Sequence, residues 1–385
     1  MKKATALLAA ALSAAVMLTA CTSSDNSGNT QEGNVDDLVP AADIFEGCEE
    51  LQGKDFELFR LPDVIEKPEY DGLYRFPDRR GGAEVPEEKQ KALELMKACF
   101  GERFDESAVR EEKNWDKSVI YQISLPDDAF AAVLHGFPMN ITKSCTSGDI
   151  TPDSTVLGRF LPSEPEKTVE LQSGSCTVAE LLDGMQKRLD AEILPFIGGF
   201  EIVPLRIDDL KSSKGVRYAM IEYGIKYKGI MLEEDSPMWI SQQRSGYQVT
   251  TGYSLNNLTL TVTDKNDYLV FSSSFAEQYP LAEKISEAIP LSGAVEILKN
   301  DLAEYMRCNL TSVELKYCCK ITAPVIIGTD SLEDSRILAD YGKIETAYFE
   351  PTWCFYYKVT DENGEHREAV KVNALTGEIT IDTAR

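Results

Sequence analysis

The chain has 385 residues, 43% of them hydrophobic and 27% charged. That is a globular balance, and it excludes a disordered, collagenous or polytopic membrane protein. The formal charge of −25 argues against binding nucleic-acid phosphates, which takes clustered Lys and Arg, and the two histidines, His135 and His366, offer little material for histidine chemistry or metal ligation.

The first elements are not part of a fold. Lys2 and Lys3 precede an apolar run over residues 4–20 that carries Thr5, Ser13 and Thr19. The run falls short of the roughly 20 apolar residues that span a bilayer comfortably, so residues 1–20 read as a secretory signal peptide. The run ends Leu18-Thr19-Ala20-Cys21, which resembles the lipobox of bacterial lipoproteins. That resemblance implies lipid attachment to the Cys21 thiol, cleavage just before it, and a place on the extracytoplasmic face of the cell membrane. Residues 22–37 (TSSDNSGNTQEGNVDD) hold a single apolar residue, Val35, and cannot bury a core. Residues 21–37 are therefore expected to form a flexible tether between membrane and body. An acidic body is repelled by an anionic membrane surface, so the lipid has to hold it there.

Beyond the tether, length favours two or three domains at roughly 100–200 residues each. Residues 38–165 read as an irregular α+β region. A helix starts at Val85-Pro86-Glu87-Glu88, because Pro suits the first helical position and acids suit the positive end. Ala92, Leu95, Met96 and Cys99 form its buried stripe, and Gly101 stops it. Strands are expected at 118–124 and 129–134, and a linker at 164–167. Residues 166–285 read as a first helix-plus-sheet module. Thr177 and Glu180 make a capping box, and Val178, Leu181, Leu182, Met185 and Leu189 hold helical spacing. Val203, Leu205 and Ile207 alternate, then Ala219, Ile221, Tyr223, Ile225 and Tyr227 share one face of a long strand. Leu258, Leu260 and Val262 follow.

Residues 286–385 read as a repeat of that order. Ser292 is the expected N-cap of a helix with Val295, Leu298, Leu302 and Met306 on its stripe. Val313, Leu315, Tyr317, Cys319 and Ile321 alternate with Glu314, Lys316, Cys318 and Lys320, a strand half in core and half in water. Trp353, Phe355, Tyr357 and Val359 form another strand. Asn363-Gly364 and Thr376-Gly377 mark turns. The fold class is therefore α+β, with antiparallel sheets each packed by a helix and a duplicated helix-strand-strand-strand module.

The stretch Glu350-Pro351-Thr352-Trp353 through Asn373-Ala374-Leu375-Thr376-Gly377-Glu378-Ile379 resembles the C-terminal modules of PepSY domains and of YycH/YycI-type regulators, over roughly residues 290–385. The resemblance extends to many lipoproteins of Gram-positive bacteria. It implies an extracytoplasmic α+β module that binds protein or restrains a protease or sensor kinase, and it brings no catalytic residues. Those regulators are usually held by a transmembrane helix, where this chain has a lipobox. Trp353 and Phe355 are expected in the core, with an exposed binding groove as the alternative.

Catalytic motifs are lacking: no GxSxG, GxGxxG, Walker A, HExxH or CxxC occurs. Asp264-Lys265-Asn266-Asp267 lacks the later glycine and glutamate of a calcium loop and reads as a turn. Glu233-Glu234-Asp235 reads as a solvated loop, with weak calcium binding as the alternative. His135 is expected to be structural and His366 exposed. Besides Cys21, the cysteines are Cys48, Cys99, Cys145, Cys176, Cys308, Cys318, Cys319 and Cys354; disulfides are permitted outside the membrane, and their pairing is open. The expected function is a lipid-anchored, extracytoplasmic, non-enzymatic binding or regulatory protein that engages an envelope protein or peptide, with no cofactor, metal or nucleic acid. The alternatives are a secreted carboxylate-dependent hydrolase and a two-lobed solute receptor.

Overall fold

The computed structural model describes residues 38–77, 86–113, 119–126, 129–134, 139–143, 154–196, 199–233, 235–237, 253–255, 257–273, 282–301, 308–321, 347–361 and 364–382. Residues 1–37, which hold the expected signal peptide, Cys21 and the expected tether, lie outside them, as do His135, Cys145, Glu234, Leu302, Met306 and Asn363. The protein is α+β. Its helices are α1 (Pro86–Phe100), α2 (Val178–Glu192) and α3 (Leu291–Asp301). Proline opens α1 at the position where its missing N–H costs nothing. The capping box of α2 is present: Thr177 Oγ1 accepts from Glu180 N at 3.2 Å, and Glu180 Oε2 accepts from Thr177 N at 2.9 Å. Ser292 does not cap α3, because the helix already includes Leu291. The Leu291 N–H is satisfied by the distant Ile44 carbonyl at 2.9 Å.

The first strands are β1 (Val39–Pro40), β2 (Phe59–Arg60) and β3 (Leu73–Pro77). After α1 come β4 (Arg110–Lys113), β5 (Val119–Ser124), β6 (Phe130–Leu134) and β7 (Met139–Thr142). Then follow β8 (Thr155–Phe160) and the pair β9 (Thr168–Leu171) and β10 (Gly174–Thr177). After α2 come β11 (Phe200–Lys211), β12 (Arg217–Tyr227), β13 (Ile230–Leu232), β14 (Asp235–Pro237), β15 (Tyr253–Leu255), β16 (Asn257–Val262) and β17 (Val270–Ser273). The short β18 (Glu283–Ile285) and β19 (Glu287–Ala288) lead into α3. Last are β20 (Cys308–Ile321), β21 (Ala347–Asp361), β22 (Gly364–Asn373) and β23 (Ile379–Asp382).

One antiparallel sheet runs in the order β4-β5-β6-β7-β17-β16-β12-β11-β8. A second runs β20-β21-β22-β23, with β3 beside the start of β21 and β2 parallel to the start of β20. The hairpin β12–β13 joins them, since β13 pairs parallel to β20. Lys228 and Gly229 both have positive φ in that hairpin, the turn whose twist matches its strands. A side chain at 229 would collide with the Glu69 carbonyl, 1.9 Å from where its Cβ would sit. The system is open rather than a closed barrel: β4, β8 and β23 each pair on one side among the described residues. Each helix is followed along the chain by four strands that pair in a meander: α1 by β4–β7, α2 by β11, β12, β16 and β17, and α3 by β20–β23.

Two hydrophobic cores result. The first packs α1 and α2 on the longer sheet, around Met96, Leu181, Met185, Leu189, Ile221 and Phe271. The second packs α3 and residues 41–76 on the other sheet, around Ile44, Phe45, Phe76, Leu298, Tyr317 and Trp353. The region 38–165 is thus shared between the two: its first part belongs with the C-terminal strands and its later part with α2. The expected linker at 164–167 is an ordered connection, because the Pro165 and Lys167 carbonyls accept from Ala179 and Val178 at the start of α2.

The long strand β12 serves both cores with one face. Ala219, Ile221 and Tyr223 enter the first core, Ile225 and Tyr227 the second. The expected alternation Val203, Leu205, Ile207 is broken, because a bulge between Pro204 and Arg206 resets β11; Ile207 is buried and the other two are half-buried. Tyr223 is fully buried, and its hydroxyl has no partner among the described residues. Removing that hydroxyl leaves the packing intact. Tyr223→Phe should therefore leave stability unchanged or raise it by up to about 1 kcal/mol. Denaturant titration checks this, and a loss above about 1 kcal/mol would show that the hydroxyl is satisfied.

Candidate functional site

The alternation of β20, β21 and β22 puts Leu315, Tyr317, Trp353, Phe355, Val370 and Val372 into the second core. The opposite face of β20 was expected in water; Glu314 is half-buried there, but Lys316 and Cys318 are buried, as are their neighbours on β21 and β22. Lys316 is 7% exposed, Lys371 8%, Glu350 4%, Asn373 7% and Cys354 0%. Glu233, expected in a solvated loop, is also buried and pairs with Lys371. This polar face is held together by charge. Lys316 lies 3.2 Å from Glu314, and Arg367 bonds Glu314 and Ser312 and stacks on the Tyr356 ring at 3.5 Å. Burial works against the Glu314 carboxylate, but Lys316, Arg367 and Ser312 outweigh it and hold its carboxyl below the usual range. Burial raises the Tyr356 hydroxyl. The sulfurs of Cys318 and Cys354 touch at 3.6 Å, and that contact together with burial pushes the Cys318 thiol well up. Chemically the face offers two thiols in contact, an ammonium–carboxylate pair and a tyrosine.

The motif residues form a clasp at one end of this face. Glu350 accepts from Asn373 Nδ2 at 2.7 Å and pairs with Arg75 of β3 at 2.7 Å. Asn373 Oδ1 accepts from Leu375 N and Thr376 N, which shapes the turn. Gly377 has φ +71, as its place in that turn demands, and a Cβ there would press on Ile297 at 3.2 Å. Trp353 is fully buried, as expected. Its Nε1–H donates to the Ile289 carbonyl at 2.9 Å, and its ring meets Phe45 edge-on at 4.9 Å.

A second buried cluster locks α1, α2 and the longer sheet. Lys143 pairs with Glu192 and with Asp267, each at 2.7 Å, and lies over the Tyr268 ring at 4.1 Å. Tyr268 Oη donates to Glu192 at 2.8 Å, and Arg188 reaches the same carboxylate at 3.2 Å. Cys99 meets Tyr268 Oη at 3.6 Å, and burial drives its thiol up to about 12, which makes it inert. Asp264 to Asp267 is a turn, with Asn266 N donating to Asp264 Oδ1 at 2.8 Å.

The surface offers two features. A groove of about 700 Å³ lies beside Lys67, Glu69, Tyr70 and Lys284, near the start of the body. Among the described residues β8 pairs on one side only, as β4 does at the other end of the longer sheet. Of the large hydrophobic residues, Val156 is 50% exposed, Leu157 47%, and the adjacent Leu161 53%. A bulge leaves Leu157 without a partner opposite it on β11, and Arg159 of the same strand is neutralised by Asp208 at 2.7 Å. His366 is half-buried, 3.3 Å from Glu368, rather than exposed. Among the described residues no group of His, Cys, Asp and Glu is arranged to hold a metal, and no helix is long and apolar enough to cross a membrane.

No family model matches the chain, and no curated protein matches it. Among solved structures it is similar to an uncharacterised protein from Eubacterium rectale ATCC 33656. The two are 12% identical with a TM-score of 0.47, over 85% of this chain and 92% of that one.

Proposed function

We propose that the protein is a lipid-anchored, extracytoplasmic and non-enzymatic binding protein that takes up an extended segment of an envelope protein or peptide along β8. The observation that carries this reading is the strand edge itself. Among the described residues β8 pairs on one side only, and exposed apolar side chains on such an edge are an aggregation hazard unless another chain covers them; strand addition is the recurring way to do so. The charge of −25 resists pairing with a second copy and favours a neutral or cationic, apolar-rich partner segment. Val156→Lys with Leu157→Lys should leave the melting temperature unmoved, since both sites are half-exposed. The same change should remove the partner that wild-type protein retains from envelope membranes. An identical set of retained proteins would overturn the role of β8.

The lipid anchor rests on Leu18 to Cys21. Cys21→Ala should shift the protein from membrane to medium or leave the unprocessed precursor. A mature-length variant still fully in the membrane fraction would refute the anchor. We also infer that the chain grew by repetition of a helix-plus-meander unit, and that residues 290–385 are its PepSY- or YycH-like copy. In support, the order recurs after α1, α2 and α3, and the shared motif serves the clasp and the core rather than a catalytic centre.

A further inference from the structure

The polar face of the second sheet contains the described cysteine pair whose sulfurs touch. In the ladder Cys318 faces Glu350 and Cys354 faces Glu314, so the sulfurs meet diagonally at 3.6 Å. The two positions are four residues out of register, so a bond of about 2.05 Å can form only if the backbone shifts along the strands at that point. Such a disulfide is strained, and strained disulfides are the readily reduced ones. Charged groups flank the pair. Lys371 stands opposite Cys354 and pairs with Glu233, which lies beside Tyr317 in the adjacent strand register. The Lys371 ammonium favours a thiolate at Cys318, while the Cys354 contact, burial and the Glu233 carboxylate oppose it, so exchange is slow in the folded protein and faster during refolding.

We propose that Cys318 and Cys354 form a reversible, redox-controlled disulfide, closed by exchange with a small disulfide such as oxidised glutathione. Cys318 is the attacking thiol, because it keeps 7% exposure where Cys354 has none. Its thiolate attacks one glutathione sulfur, the glutathione S–S bond breaks, and one glutathione thiolate leaves. The Cys354 thiolate then attacks Cys318 Sγ in the mixed disulfide and releases the second glutathione. The two protein thiols are oxidised, one oxidised glutathione is reduced to two thiols, and the two thiol protons pass to those products. Excess reduced glutathione runs the sequence backwards. Closure would shift β20 along β21 beside the Lys371–Glu233 pair, so the redox state is registered in the polar face. The proposal is independent of the β8 reading, since it concerns the opposite end of the chain's sheet system and needs no partner.

The test uses the purified chain, equilibrated with oxidised or reduced glutathione both as the native protein and after refolding in the same buffers. Free thiols are then trapped with N-ethylmaleimide and the digest is read by mass spectrometry without reductant. In oxidised glutathione the expected product is a peptide joining Cys318 to Cys354, two hydrogens lighter than the sum of its parts. It should disappear in excess reduced glutathione. Cys354→Ser should abolish it and leave Cys318 glutathionylated. Cys319→Ser should leave it intact, because that neighbour packs toward the second core. Trapped thiols on both cysteines after refolding in oxidised glutathione would overturn the proposal. A link that joins Cys319 instead, or one that survives excess reduced glutathione, would overturn it equally.

Discussion

Trp353→Ala should destabilise the whole protein by about 3–5 kcal/mol, the cost of truncating a fully buried aromatic side chain. The loss has two parts. The indole leaves a cavity between β21 and Phe45, and the Ile289 carbonyl loses its donor at the entry to α3. Trp353→Phe keeps most of the ring and should cost less, close to the 1–3 kcal/mol of an unsatisfied buried acceptor. Urea midpoints of the three proteins check this, and an unmoved midpoint for the alanine variant would place the indole at the surface. From the sequence, the helix from Ser292 and the strands through Ile379 read as burying their own stripe, so residues 285–385 would fold alone. In the structure the other wall of that core comes from residues 41–76, with Phe45 against Trp353 and Phe76 against Tyr317. The isolated C-terminal segment should therefore be unfolded even with Trp353 intact, and adding residues 38–77 in trans should recover folded signal.

Glu192→Ala should cost about 3–5 kcal/mol, because it strips a buried lysine of its main counter-charge. Lys143 is 8% exposed; it would keep Asp267, while Tyr268 would lose its acceptor and Arg188 its ion pair. The cluster ties the end of α2 to α1, β7 and the turn before β17, so its loss loosens the first core at its centre. Replacing the pair together, Lys143→Met with Glu192→Leu, should recover much of the single-variant loss, since no unpaired charge remains. A double-mutant cycle measures this coupling. A Glu192→Ala loss below about 1 kcal/mol would mean that water reaches and solvates Lys143.

Much of this protein is local and can be read from the chain. The capping box of α2, the apolar stripe of α1, the shared face of Ala219 to Tyr227 and the positive φ of Gly377 all follow from sequence spacing. Each depends on interactions within a few residues, where side-chain period and backbone sterics act alone. What water touches is another matter. Alternation correctly placed Glu314, Lys316 and Cys318 on one face of β20, yet it assigned that face to solvent. A face is dry when a distant element covers or pairs with it, and here the partners are far apart in sequence: Arg75 with Glu350, Glu233 with Lys371. The same holds for Leu291, whose N–H bonds the distant Ile44 carbonyl, and for residues 38–77, which crossed to the C-terminal core. The fold class and most local elements are set by near-neighbour chemistry. Which polar groups are buried, which sulfurs touch and which strand edge stays open are decided only when non-local strands meet, because burial is a property of the assembled surface.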